Sequence, residues 1–412
     1  MEDLRFGYVS DAELERRWTL LRDLLEEKKL DCLLTSCNED DHGGYVRWFT
    51  DNGVSSVVTA SLDRSAEAKA AYAYRKVAIF HANDLMTVVQ HGPPGQRITP
   101  RGRDPQNRGV GEIYGTASFP AVHYTLGYEA EIVLEVIKKR GYKRVGLAGL
   151  GNFHYRFMQL LLDGLSGAVT FSDETEAVDW MMAVKSDEEL DIIRKTAAIQ
   201  DHLFTTALEN AKPGMTDAAL TALIRAEAIR HGCAGGIILG GSGPQGSFAS
   251  FRPITHQNRV IQEGDYLPLL IEVSGPGGYF TEVARTLSFG GVGPALADAN
   301  AAVTEMQRSI IEAFKPGRLC ADILAEHNRD RAERRLPPET RMFSHGQGYD
   351  LVERPLIRDD ETLKVAANMN FAVHPTIAHG HTVFTTMCDN FIVGTDGAME
   401  RIHRTEQKVF EL

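Results

Sequence analysis

Apolar positions recur at helical spacing between Asp11 and Lys29, which predicts an amphipathic helix. An apolar run, Cys32–Thr35, follows it, and β-rich runs appear at Val54–Thr59, Val77–Phe80 and Arg144–Leu147. Alternation of helix and strand over residues 1–180 predicts an α/β layer with a partly parallel sheet. Between these runs, Gln90–Gly109 is rich in Gly, Pro, Arg and Gln and is expected to be a long loop.

The pattern changes near residue 182, after Trp180-Met181-Met182. There Ser186 and Glu189 have capping-box spacing ahead of a helical series through Leu190, Ile193, Ala197, Ile199 and Leu203. Two domains are expected, 1–180 and 181–412. Within the second, a helix ending in Ala211-Lys212-Pro213-Gly214 precedes another helix up to His231-Gly232. About a hundred residues on, Phe314-Lys315-Pro316-Gly317 repeats the arrangement, with its second helix running through Arg335. Each Pro-Gly stops one helix and the next residues start another, with Thr216 a good N-cap. The runs Tyr266–Ser274, Tyr279–Phe289, Phe371–Ile377 and Phe391–Val393 are β-like. The expected outcome is an α+β domain made of two similar halves, with a curved antiparallel sheet carrying helices on one face.

Composition narrows the function. A chain of 412 residues with 43% apolar content can build two sizeable cores. A net charge of −12 argues against nucleic acid, which needs a basic footprint, and favours a small-molecule partner. No apolar run approaches the roughly 20 residues of a membrane span, and Met1-Glu2-Asp3-Leu4-Arg5 does not look like a leader, so a cytoplasmic location is expected. The five cysteines lack paired metal-site spacing, and most are expected to be buried thiols.

Gly278–Thr286 (G-Y-F-T-E-V-A-R-T), His345–Pro355 (H-G-Q-G-Y-D-L-V-E-R-P), Lys185–Glu189 and the two Lys-Pro-Gly turns together resemble the "pita-bread" family of creatinases, aminopeptidases P, prolidases and methionine aminopeptidases. The resemblance implies an α/β N-terminal domain, a pita-bread C-terminal domain with a pseudo-twofold repeat, and a homodimer. In metal-dependent members two aspartates, one histidine and two glutamates hold a dinuclear centre. The first aspartate position falls at Leu270 counted forward from Gly264-Asp265 or at Ile271 counted back from Gly278, with Glu272 the nearest acid; if Leu270 marks the register, the two share a strand face. The other four positions hold Glu282, His345, His374 and Cys388.

This set has lost the bridging carboxylates that two hard ions need. The expectation is therefore an enzyme without a metal cofactor, resembling creatinase, that cleaves a C–N or related bond of a small polar metabolite by hydrolysis or elimination. His345, His374 and Glu282 would supply its acid–base chemistry. One Zn or Fe ion held by Glu282, His345 and His374, as in a mononuclear lyase or Xaa-Pro peptidase-like enzyme, is the alternative. A catalytically inactive binding protein on the same frame is the third reading.

The expected substrate-binding residues are Glu272, Tyr279, Glu353, His379, His381, Cys388 and Arg47. The last lies in a segment that, by the resemblance, reaches across to a partner subunit's cleft. Phe251 stands where creatinase-like enzymes carry a general-base histidine, and Ala284 and His374 stand where they grip a guanidinium. Creatine itself is thereby a poor substrate candidate.

Overall fold

A computed structural model describes residues 9–37, 44–52, 75–100, 107–119, 122–379 and 382–412. The expected strand Val54–Thr59 lies outside them. The chain divides into two compact units, Tyr8–Met182 and one containing Ala183–Leu412.

In the first unit the Asp11–Lys28 helix starts where Ser10 Oγ accepts from the Glu13 amide at 3.1 Å, and it ends at Lys29, which turns into the left-handed region. Seven strands form a mixed sheet in the order Arg97–Ile98, Val110–Thr116, Met86–His91, Arg75–His81, Cys32–Ser36, Arg144–Ala148, Thr170–Asp173. Cys32–Ser36 pairs parallel with Arg144–Ala148, which pairs parallel with Thr170–Asp173. The helices Tyr128–Arg140 and Tyr155–Leu165 bury Val133, Ile137, Phe157 and Leu161 against Leu34, Ile79 and Leu147 of this sheet. The stretch expected to be a loop, Gln90–Gly109, is not wholly irregular. Its Arg97–Ile98 adds an edge strand opposite Tyr114 and Ile113, two residues too short to leave a periodic signal.

The second unit opens with the expected capping box. Ser186 Oγ accepts from the Glu189 amide at 3.2 Å, and Glu189 Oε2 accepts from the Ser186 amide at 2.7 Å. The Asp187–Asn210 and Asp217–Arg230 helices pack Leu203, Phe204, Leu220 and Ile224 over Leu267, Leu269, Ile271 and Val283. Those last four residues point from one face of the strands Asp265–Ser274 and Phe280–Ser288, leaving the opposite face for the site.

The duplicated halves repeat bond for bond. Gly214, at φ 92°, donates to Ile261 O at 2.9 Å, and Gly317, at φ 88°, donates to Val365 O at 2.8 Å. Ile261 N returns to Met215 O and Val365 N to Arg318 O, both at 2.9 Å. Gln200 Nε2 donates to Val273 O and Thr281 O in the first half, and Gln307 Nε2 donates to Val373 O and Met387 O in the second. A buried glutamine thus ties helix to sheet in each half.

One sheet runs Val409–Glu411, Phe280–Ser288, Asp265–Ser274, Gly236–Gly240. The other runs Glu353–Leu356, Ser344–Gly346, Asn370–Val373, Asp389–Val393, Met399–Arg401. Reciprocal backbone bonds between Ala284 and Cys388, at 3.2 and 3.3 Å, join them. The expected strand Phe371–Ile377 is broken at His374-Pro375: Asn370–Val373 stays in the sheet, while Thr376–His379 pairs with Val383–Thr386. Pro375 has no amide proton to continue the ladder. Among the described residues no helix is long and apolar enough to cross a membrane.

Candidate metal centre

Glu272 and Glu282 are directly opposed on the antiparallel strands Asp265–Ser274 and Phe280–Ser288. Directly opposed residues share a face, so two carboxylates are forced together in a buried place. His345 lies at the centre of Ser344–Gly346, opposite Ala372, and His374 leaves the end of the adjoining strand. Its backbone amide is fixed by Phe343 O at 2.8 Å. The two imidazole rings are 5.3 Å apart at 62°. Ligand atoms of Glu282, His345 and His374 all lie within 4.8 Å of one another.

The local backbone explains the motif. A Cβ on Gly346 would sit 2.6 Å from Arg354 O, and one on Gly348 would collide with the Glu353 carboxylate. The glycines of His-Gly-Gln-Gly let this strand close on Glu353–Leu356 with a bulge after His345. His345 Nδ1 bonds Gly346 O at 2.9 Å. A carbonyl only accepts, so Nδ1 carries the proton and Nε2 presents its lone pair towards Glu282 Oε2, 3.8 Å away.

Electrostatics follow from burial. Desolvation pushes Glu282 up to about 7. Desolvation and then the Glu282 charge push Glu272 well above the usual carboxylate range, against the bond it accepts from Gln347. Desolvation lowers His345 to about 4. It takes His374 well below its ordinary value, with further lowering from His345 and Arg341. Two neutral imidazoles beside two carboxylates that resist ionising form a place where a cation would reverse the balance.

A network of amides beneath these groups left no sequence signal. Gln347 Nε2 donates to Glu272 Oε1 at 2.7 Å and to Leu351 O at 3.1 Å, and its Oε1 accepts from Asn390 Nδ2 at 2.9 Å. Asn390 Oδ1 accepts from the Glu282 amide at 2.7 Å, while its Nδ2 also reaches Asn370 Oδ1 at 3.2 Å. Spacing alone could not have found it, because the three amides come from three separate segments, two strands and the turn after Ser344–Gly346.

The remaining expected site residues have the following surroundings. Tyr279, buried, donates to Glu189 Oε1 at 2.7 Å, and its ring lies 4.2 Å from that of Tyr349, tilted by 30°. Glu353 pairs with Lys185 Nζ at 2.9 Å and accepts from the Asp350 amide. Cys388 is buried against Leu270 and Ala284, with Sγ 3.6 Å from the backbone oxygen of Glu282, and burial holds its thiol protonated. Arg47 is half-buried in the Gly44–Thr50 helix of the first unit, beside the core residue Trp48. His379 ends the Thr376–His379 strand, but its side chain and His381 lie outside the described residues.

A feature that the sequence reading did not single out is an aromatic wall. Phe384 meets Phe251 at 5.2 Å and Phe248 at 5.6 Å, both edge-on. Phe251 also packs with Leu239 on the cluster of Leu270, Ala284 and Cys388, where Leu270 and Ala284 lie two residues along their strands from Glu272 and Glu282.

Comparison with known proteins gives these groups a context. "Probable dipeptidase PepE" of Mycobacterium tuberculosis is 27% identical over 227 residues, covering 55% of this chain and 60% of the relative. The match thus spans less than two thirds of the curated relative's length. A crystal structure of a recombinant prolidase from Thermococcus sibiricus superposes with a TM-score of 0.75 at 17% identity, covering 98% of this chain and 100% of that one. Dipeptidase PepE from Mycobacterium ulcerans gives a TM-score of 0.70 at 20% identity, covering 98% and 99%.

The expectation of a site without a cofactor is overturned. A metallopeptidase sequence model matches residues 191–398, and the side chains at the expected positions form a ligand cluster. The preference for a metal-free site gave the lost dinuclear carboxylates more weight than the one-ion alternative, in which two imidazoles and a carboxylate suit a borderline cation. Donors fit one ion: Leu270 and Cys388, at two of the five positions, pack in an apolar cluster. The matched residues make up half of the chain, and the protein belongs to metallopeptidase family M24.

Proposed function

We propose that the protein is a hydrolase of C–N bonds in small peptide-like substrates, with one divalent transition ion held by Glu282, His345 and His374. The observation that carries this reading is the mutual approach of their ligand atoms to within 4.8 Å in a buried position. An ion there supplies Lewis acidity that polarises a scissile carbonyl. His345 is oriented for ligation by its Nδ1 bond to Gly346 O, which leaves Nε2 free. Gln347 orients Glu272, whose carboxylate, ionised once a cation sits beside it, would take a proton from the attacking water and return it to the leaving amine.

Phe248, Phe251 and Phe384 form an apolar side that favours an uncharged substrate group next to the cleaved bond. A homodimer in the cytoplasm, expected from the resemblance and composition, belongs to the same reading. The test is hydrolysis of a dipeptide panel, Xaa-Pro members included, by protein stripped with a chelator and reloaded with Mn²⁺, Co²⁺ or Zn²⁺. Turnover restored by one of these ions supports the reading. Turnover indifferent to chelation and reloading, or absent throughout, rejects it.

A further inference from the structure

A second group of ligand-type side chains converges in the unit containing Ala183–Leu412, outside the centre above. His202 projects from the Asp187–Asn210 helix; Glu227 lies four residues before His231 at the end of the Asp217–Arg230 helix. Residues four apart on a helix share a face, so Glu227 and His231 present together towards the neighbouring helix. The ligand atoms of all three lie within 4.8 Å of one another.

The distances are more specific than a surface ion pair requires. Glu227 Oε1 lies 3.2 Å from His202 Nε2 and 3.2 Å from His231 Nε2, so two imidazoles address one oxygen. Their rings are 4.7 Å apart at 63°. Bonds of roughly 2.0 Å to a tetrahedral ion place ligand atoms roughly 3.3 Å apart, and two of the three edges already match. Arg230 NH1 holds Glu227 Oε2 at 2.7 Å, which fixes the carboxylate with Oε1 turned to the imidazoles. The side chains are 50%, 21% and 40% exposed for His202, Glu227 and His231, leaving further coordination positions open to water.

We propose that His202, Glu227 and His231 form a second, surface-facing site for a borderline divalent transition cation such as Zn²⁺. Two nitrogens and one oxygen suit such an ion, whereas Mg²⁺ and Ca²⁺ demand oxygen shells. The ion would clamp the two helices that cover the first half of the sheet. Because it binds the folded chain, it raises thermal stability with the logarithm of free ion concentration above its Kd.

The test uses Zn²⁺ alone in equilibrium dialysis at neutral pH with elemental analysis. One protein carries Glu282→Gln, His345→Ala and His374→Ala; a second carries these changes plus His202→Ala and His231→Ala. The first is expected to retain about one equivalent of zinc and melt a few degrees higher with it, and the second to lose both effects. No zinc on the first, or equal zinc on both, overturns the site. Should the triple variant fail to fold, the full chain with only His202→Ala and His231→Ala must bind about one equivalent less zinc than the unmodified chain, with hydrolysis unchanged. Equal capacity there overturns the proposal, and neither outcome bears on the centre at Glu282.

Discussion

Gln347 holds Glu272 through a 2.7 Å bond from its Nε2, and the same side chain accepts from Asn390, which fixes the backbone of Glu282. One amide thus positions both carboxylates. Replacing it with Leu leaves buried polar groups unpaired, at a cost of about 1–3 kcal/mol for such a group. Gln347→Leu is expected to lower stability by about that amount in chemical denaturation. It should also displace the acidic limb of the pH–rate profile upward, because Glu272 loses the bond that favours its charged form. An unchanged profile with lost stability would make Gln347 purely structural.

Substitution within the triad should act on turnover rather than on folding. His345→Ala and Glu282→Gln are each expected to lower kcat by about 10²–10⁴ if proton transfer and ion binding fail together. Circular dichroism melting should show intact folding. Wild-type rates in both variants would remove these residues from the reaction.

Arg285 and Asp389 form a fully buried ion pair at 2.6 Å. The guanidinium also donates to the backbone oxygens of Ala284, Cys388, Thr405 and Glu406, fastening the C-terminal segment beside the bridge between the sheets. Arg285→Met leaves the Asp389 charge without this partner and is expected to cost about 3–5 kcal/mol. Urea denaturation measures it, and a loss below about 1 kcal/mol would show that the pair is not a keystone.

In the first unit, His81 is buried, with Nε2 2.9 Å from Thr87 Oγ1 and Nδ1 2.9 Å from the Tyr142 hydroxyl. Burial, then the Arg140 charge, lowers it to about 4, with Asp84 and Glu112 opposing. Unfolded, it protonates near 6.5, so between these values the unfolded chain binds the extra proton. Its effect is therefore absent above about pH 6.5, and stability falls by about 3 kcal/mol as pH drops to about 4. His81→Gln is expected to flatten that part of the stability–pH curve, and an unchanged slope would contradict the assignment.

The helices and the long strands were legible because their signals are local. The Ser186–Glu189 cap, the Pro-Gly stops and the buried run Asp265–Ser274 act within a few residues. Ser344–Gly346 escaped notice as a strand, since Ser-His-Gly has little β-propensity and its pairing with Glu353–Leu356 needs Gly346 to admit Arg354 and Glu353. His345, His374 and Glu282 were legible through motif position. The contacts of Tyr279 and Glu353 were not legible, because their partners Glu189 and Lys185 lie 90 and 168 residues away. The metal-free preference fails because loss of the dinuclear carboxylates leaves the three donors of the one-ion alternative, Glu282, His345 and His374, in place.

The most direct measurement is anomalous diffraction from crystals of the protein soaked in Mn²⁺ or Zn²⁺. The account predicts a single strong peak between Glu282, His345 and His374, at about 2.0–2.2 Å from their ligand atoms, and its loss in His345→Ala crystals. Density-free space among these three side chains in soaked crystals, or a pair of ions bridged as in a dinuclear centre, would contradict it.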